Sequence, residues 1–218
     1  KIIFIFSNLK YIMSRIILFT SDESGSNFAN LKKYNDSKLG LLERFEDYSS
    51  KVEMKKLESE SITLSELKRF KKEWETQYDK EDVLLFLDEK AISSISSTQM
   101  DSLLIYLKKV LTEVDVFYLS NFMDNCKMIN SLETKPPEDL KHINFYHSKS
   151  PNGFYSVAST FEKWDSIIGM LEEQKEEKIT SKLSSLVISN RIKAGSSWPR
   201  IFVPDISKLT DDIESFYT

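Results

Sequence analysis

Asp82-Val83-Leu84-Leu85-Phe86-Leu87-Asp88-Glu89-Lys90 is the stretch that settles the fold class: an unbroken apolar run that stops on two acids and a lysine. A run of this length with no polar alternation reads as a strand buried on both faces, as in a sheet covered by helices. Polar residues at the carboxyl end of such a strand stand at the rim of the sheet, where open α/β folds bind their ligands. The same Asp-Glu-Lys is also an ordinary way to begin a solvated loop.

The neighbours of this strand alternate in kind. Before it, Thr63-Leu64-Ser65-Glu66 is a capping box that opens a helix through Tyr78, with Leu64, Leu67, Phe70 and Trp74 on its buried face. After it, Ser97-Thr98-Gln99 starts a helix through about Thr112 that carries Leu103, Leu104, Leu107 and Leu111. Asp115-Val116-Phe117-Tyr118-Leu119-Ser120 then reads as a strand from its β-rich composition. Further out, Ser14-Arg15-Ile16-Ile17-Leu18-Phe19-Thr20 is a first strand leading into the polar loop Ser21-Asp22-Glu23. Short helices are expected near 27–34 and 41–48, and a strand near 51–57. Past Pro136-Pro137, two short strands at 143–147 and 153–158 flank the turn Ser150-Pro151-Asn152-Gly153. Thr160 caps a helix bearing Phe161, Trp164, Ile167, Ile168 and Leu171, an amphipathic helix follows over 179–194, and 200–205 is a last strand. The expectation is an α/β protein, a three-layer mixed sheet flanked by helices.

Composition bounds the function. The 218 residues suffice for one sizeable core, and a single domain over 13–218 is expected. Residues 1–12 are read as an upstream extension and Met13 as the natural start. Their apolar run Lys1-Ile2-Ile3-Phe4-Ile5-Phe6 is too short to span a membrane and lacks a small-residue cleavage site. Nothing in the chain reads as an integral membrane segment. A net charge of −4 lacks the basic surplus of a dedicated nucleic-acid binder, so no nucleic-acid partner is expected. The single Cys126 forms no internal disulfide, which fits a cytoplasmic location, the host cytoplasm for a viral protein.

Several familiar sites are excluded. Five scattered glycines make no phosphate-cradling loop, two histidines and one cysteine make no zinc cage of the usual ligands, and no G-x-S-x-G elbow is present. Rossmann dehydrogenases, P-loop NTPases and α/β-hydrolases drop out. What remains works with carboxylates, lysines, hydroxyls and aromatic rings.

The order of elements resembles the lipopolysaccharide-type glycosyltransferases of family 25 and their divergent relatives in large DNA viruses. Three segments carry the resemblance, within roughly 62–205. The first is the helix with Phe70 and Trp74 followed by Leu85-Phe86-Leu87-Asp88-Glu89-Lys90. The second is the helix with Leu103 and Leu111 followed by Asp115-Val116-Phe117-Tyr118-Leu119-Ser120, continuing into Asn121-Phe122-Met123-Asp124-Asn125-Cys126. The third is Ser150-Pro151-Asn152-Gly153-Phe154-Tyr155-Ser156-Val157-Ala158-Ser159.

The resemblance implies a GT-A-like nucleotide-sugar-binding fold and a transferase. It would move a sugar from a nucleotide-sugar donor, a UDP-sugar foremost, to a protein or glycan acceptor. In that family the acids after the strand hold a divalent metal against the donor diphosphate, whose charge must be neutralised as the nucleotide leaves. Asp88 and Glu89 match the first two of three family acids, and Lys90 replaces the third. The later helix reads Ile179-Thr180-Ser181-Lys182 where the family places another acid. Two physical readings stay open. Either Asp88 and Glu89 bind manganese or magnesium, with Lys90 weakening the hold or itself facing the diphosphate. Or the site has decayed, and the fold persists as a binding or structural module.

The resemblance assigns Asp88 and Asp124 to catalysis, Asp88 and Glu89 to the metal, and Ser21, Asp22, Lys90 and His147 to the donor. Each has a plainer reading: a loop-capping aspartate for Asp124, a rim histidine with a satisfied hydrogen bond for His147. Tyr146, Phe154 and Tyr155 stack on a uracil or sugar, or pack in the core. Trp74 and Trp164 are packing residues, and Trp198-Pro199 staples a connection.

Overall fold

The structure is a computed structural model and describes residues 14–20, 52–58, 61–88, 91–120, 130–151, 156–175 and 178–204. Residues 1–12, the helices expected near 27–34 and 41–48, and the turn residues Asn152 and Gly153 lie outside the described residues. Within them, strands β1 (Ser14–Thr20), β2 (Val52–Lys56), β3 (Val83–Asp88), β5 (Val116–Tyr118), β6 (Asn144–Ser148), β7 (Ser156–Thr160) and β8 (Ala194–Trp198) form one mixed sheet in the order β2-β1-β3-β7-β5-β8-β6. β2, β1 and β3 run parallel, β7 runs against both β3 and β5, β5 and β8 are parallel, and β6 runs against β8. A second, two-stranded sheet pairs β4 (Ala91–Ser93) with β9 (Phe202–Pro204).

Helices cover both faces, as the apolar run at 83–87 demanded. Leu67, Phe70 and Trp74 of α1 (Leu64–Trp74), with Trp164 and Ile168 of α3 (Phe161–Glu172) and Leu183 of α4 (Ile179–Ile188), pack on Ile17, Phe19, Leu84 and Phe86. Leu103, Leu104 and Leu107 of α2 (Ser97–Val110) pack on Ile16, Leu18, Leu85 and Leu87 of the opposite face. Leu84 through Leu87 are all 0% exposed, so β3 is buried from both sides. The three-layer α/β expectation holds.

One expected element is corrected. The helix predicted over 179–194 stops at Ile188, because Asn190 takes a left-handed conformation (φ 55°) and Arg191 N–H closes back on the Leu186 carbonyl. The remainder of that stretch turns into β8, whose Ala194-Gly195-Ser196-Ser197 carries no β-branched side chain. Its smallness has a cause in packing. A Cβ on Gly195 would stand 2.6 Å from Phe117 Cδ2 and 2.8 Å from Cε2, so the buried ring occupies the space that any side chain would need.

Two carboxylates, Glu66 buried and Glu113 half-buried, tie loops to helices. Glu66, 4% exposed, accepts the N–H of Glu58 at 2.6 Å and the N–H and hydroxyl of Thr63 at 2.9 and 2.7 Å. It thereby anchors the chain leaving β2 to the start of α1. Glu113 accepts the N–H groups of Glu133 and Thr134, each at 2.8 Å, and the Thr134 hydroxyl. Burial opposes ionisation of both groups, but these hydrogen bonds outweigh it and hold both carboxyls below their ordinary range. A carboxyl with a lowered folded-state pKa stabilises the fold above its unfolded value, about 4.3, and that contribution is lost as pH falls through the folded value. The urea midpoint is therefore expected to fall as pH drops below about 4.3, and Glu66→Gln should make that decline shallower. An unchanged slope in the variant contradicts the assignment.

Candidate functional site

The carboxyl ends of β1 and β3 meet at one edge of the sheet. β1 has β2 on one side and β3 on the other, so the strand order reverses between β1 and β3. A reversal of this kind makes neighbouring loops diverge and leaves a crevice at the strands' carboxyl ends. The register sets Phe19 beside Asp88, and Thr20 beside Lys56 at the exposed end of β2. Leu87 pairs with Ser156 at the start of the antiparallel β7, and Leu119 N–H donates to the Ser156 carbonyl at 3.0 Å. The rim thus runs from Lys56 through Thr20, Asp88 and Ser156 to Ser120.

The rim beyond β5 is closed by backbone. Ile201 and Phe202 both donate N–H bonds of 3.0 Å to the Leu119 carbonyl, and Ser94 N–H donates to the Ile201 carbonyl at 2.8 Å. The β4–β9 pair thereby holds the chain after β3 and the chain after β8 against the end of β5. That arrangement was not legible at Asp88-Glu89-Lys90, which reads as solvated loop while a strand begins directly after it.

Of the expected site residues, Asp88 is half-buried at the last position of β3, beside the point where strand order reverses. Ser21, Asp22, Glu89, Lys90 and Asp124 lie outside the described residues, as do Phe154 and Tyr155. His147 is not brought to Asp88. It sits on β6, the edge strand four places from β3, in the row of Gly195, Phe117, Ala158 and Leu85. Four strand spacings put it about 19 Å across the sheet, and three residues of rise put it about 10 Å below Asp88. Its backbone N–H donates to the Asn130 carbonyl at 2.9 Å, which ties this stretch of β6 to the chain at 130–132. Tyr146 is 7% exposed, and Trp74 and Trp164 are 0% exposed, all three as packing residues.

A hard divalent cation wants six or more oxygens at 2.0–2.6 Å. Among the described residues no three of His, Cys, Asp and Glu come together to hold a metal, and Asp88 is a single carboxylate. Glu89, the other half of the expected metal pair, lies outside the described residues.

The sequence reading passed over a group of hydroxyls. Tyr118, Ser120 and Ser156 are all 1% exposed or less, and none of their hydroxyl oxygens has a hydrogen-bond partner. Burial pushes the Tyr118 phenol well above its ordinary value, so it stays a neutral donor. Tyr118 and Ser120 share one face of the sheet by alternation, and Ser156 stands on the other beside Leu87; buried polar atoms in native structures nearly always have partners, so unpaired ones here call for an explanation. The only signal in the sequence was the pair Tyr118 and Ser120, on one face by strand alternation in an otherwise apolar segment. Lys56, exposed at the end of β2, was also missed.

No family model matches the chain, and no curated protein matches it. A solved structure to which the chain is similar is that of A197 from STIV, with 14% identity and a TM-score of 0.41, covering 84% of this chain and 81% of that one. Among the described residues no helix is long and apolar enough to cross a membrane.

Proposed function

We propose that this chain is a GT-A-like glycosyltransferase that takes a nucleotide-sugar donor, a UDP-sugar foremost, at the crevice between β1 and β3. The observation that carries the reading is the position of Asp88 at the carboxyl end of a fully buried strand, beside the point where strand order reverses. Ser21 and Asp22 follow β1 directly, and Glu89 and Lys90 follow β3 directly, so the chain delivers them from adjacent strand ends. In the transfer, an acceptor hydroxyl oxygen bonds to the anomeric carbon as the bond from that carbon to the diphosphate breaks. The nucleotide leaves with the electron pair, and the hydroxyl proton passes to a carboxylate, Asp88 or Asp124. Lys90 and Lys56 supply positive charge against the negative charge that the leaving diphosphate develops. No step is assigned to a metal. The runner-up, a decayed module, differs in having no nucleotide response.

Uridine diphosphate at a hundredfold excess over its Kd stabilises a protein by about 2.7 kcal/mol, which for a chain of this size raises Tm by roughly 5–10 °C. We expect that shift, measured with manganese and with chelator, and expect Asp88→Asn combined with Glu89→Gln to abolish it. No shift under either condition refutes the transferase reading and leaves the decayed module.

A further inference from the structure

Trp198 is the one tryptophan that folding leaves out. Trp74 and Trp164 are 0% exposed, whereas Trp198 is 50% exposed at the carboxyl end of β8, the same edge of the sheet that carries Asp88. In the antiparallel ladder its direct partner is Asn144, also exposed. Side chains directly opposite in such a ladder lie on one face, with Cβ atoms about 4.5–5.5 Å apart. An indole and an amide are therefore presented together to solvent at the rim. By alternation Trp198 also shares its sheet face with Ser196 and Tyr118, which pair across the β5–β8 ladder. The unpartnered hydroxyls of Tyr118 and Ser120 belong to that same rim.

We infer that Trp198 and Asn144 form a saccharide subsite for the acceptor, which rests on the transferase reading above. A pyranose ring has an apolar C–H face and an equatorial fringe of hydroxyls. The indole matches the first; the Asn144 amide, with both donors and an acceptor, matches the second. Three strand spacings separate β8 from β3, about 14 Å, so the ring held on Trp198 is not the one that reacts. It is a more distant unit of a glycan whose reactive hydroxyl reaches the crevice at Asp88. Binding energy from such a remote unit serves to position the reacting group.

The full chain tests this with lactose, maltose, cellobiose and N,N′-diacetylchitobiose as probes. Iodide quenches exposed indoles, so the quenchable emission reports on Trp198 alone. At least one disaccharide is expected to halve that quenching, and to show saturation transfer from the protein to its C–H protons in NMR. Trp198→Ala and Asn144→Ala should each reduce the saturation transfer at least fivefold, with Trp198→Phe retaining part of it, all at unchanged Tm. If no disaccharide protects Trp198, or if the variants bind as the native chain does, the subsite is overturned. Competition by an unglycosylated peptide alone also overturns it. The uridine diphosphate shift is read in the same samples. A nucleotide shift without saccharide binding refutes the subsite only; saccharide binding without a nucleotide shift refutes the transferase reading only.

Discussion

Phe86→Ala is expected to cost about 3–5 kcal/mol of folding stability, the range for emptying a fully buried aromatic site. Phe86 stands at the hub of one aromatic cluster. It stacks on Trp164 at 4.3 Å between ring centroids and 17° between planes, and meets Phe19 and Trp74 at 5.3 Å each. Phe19 and Trp74 in turn each lie 5.9 Å from Phe70. These rings come from β1, β3, α1 and α3, so the cavity would open where one whole layer meets the sheet. Each such pair adds about 0.5–1.5 kcal/mol beyond area burial, and the surrounding rings are too rigid to collapse into the gap. Denaturant unfolding of the variant measures the loss, and Phe86→Leu should recover part of it. A cost below about 1 kcal/mol would contradict the central position assigned to this ring. Because Phe86 lies two residues before Asp88 on the same face of β3, the loss should reach the rim as weaker ligand response.

Lys163→Met should cost about 2–3 kcal/mol, the second large effect. The Lys163 ammonium donates to the carbonyls of Leu111 at 2.6 Å and Val114 at 2.7 Å, and lies 3.3 Å from an Asp115 carboxylate oxygen. It reaches from α3 on one face of the sheet to the end of α2 on the other. That places it at the turn from which β5 begins. Hydrogen bonds from a charged donor contribute about 1.5–3 kcal/mol each, and a side chain 29% exposed keeps part of that after screening by solvent. Asp115 stays satisfied without the lysine, since its other oxygen accepts Lys193 N–H at 2.7 Å. The loss would therefore come chiefly from the two carbonyls. Lys163→Arg, which keeps the charge and the donors, should fall between the two; a methionine variant as stable as the native chain would show the carbonyls well served by water.

The fold was legible where local chemistry and burial agree. The capping box at Thr63 and Glu66 forms with both reciprocal bonds, α2 starts at Ser97 as expected with Ser96 as its cap, and Thr160 caps α3. Leu67, Phe70 and Trp74, spaced for one helix face, all pack inward. β8 was illegible for a complementary reason. Ala194-Gly195-Ser196-Ser197 has no strand signal of its own and becomes a strand through its ladders with β5 and β6, with Phe117 filling the space beside Gly195. β4 was hidden likewise: it is three residues long and is held by β9, which lies within the last strand expected over 200–205.

The site divides in the same way. Asp88 at a strand end is a local reading, and it holds. His147 looked equivalent on paper, since a histidine near a strand end carries no mark of which edge its strand will occupy. Strand order put it on the far side of the sheet. Trp198 looked like a staple and emerges half-exposed, because whether an indole is covered depends on residues distant in the chain.

The sequence by itself determined the layered α/β class and the acidic end of β3, since periodicity, capping and an unbroken apolar run are short-range properties of the chain. Tertiary structure alone decided which strands are neighbours, and with that the meeting of β1 and β3, the remoteness of His147 and the exposure of Trp198. Neighbour choice arises from burying all apolar faces at once, and no single segment encodes that global condition.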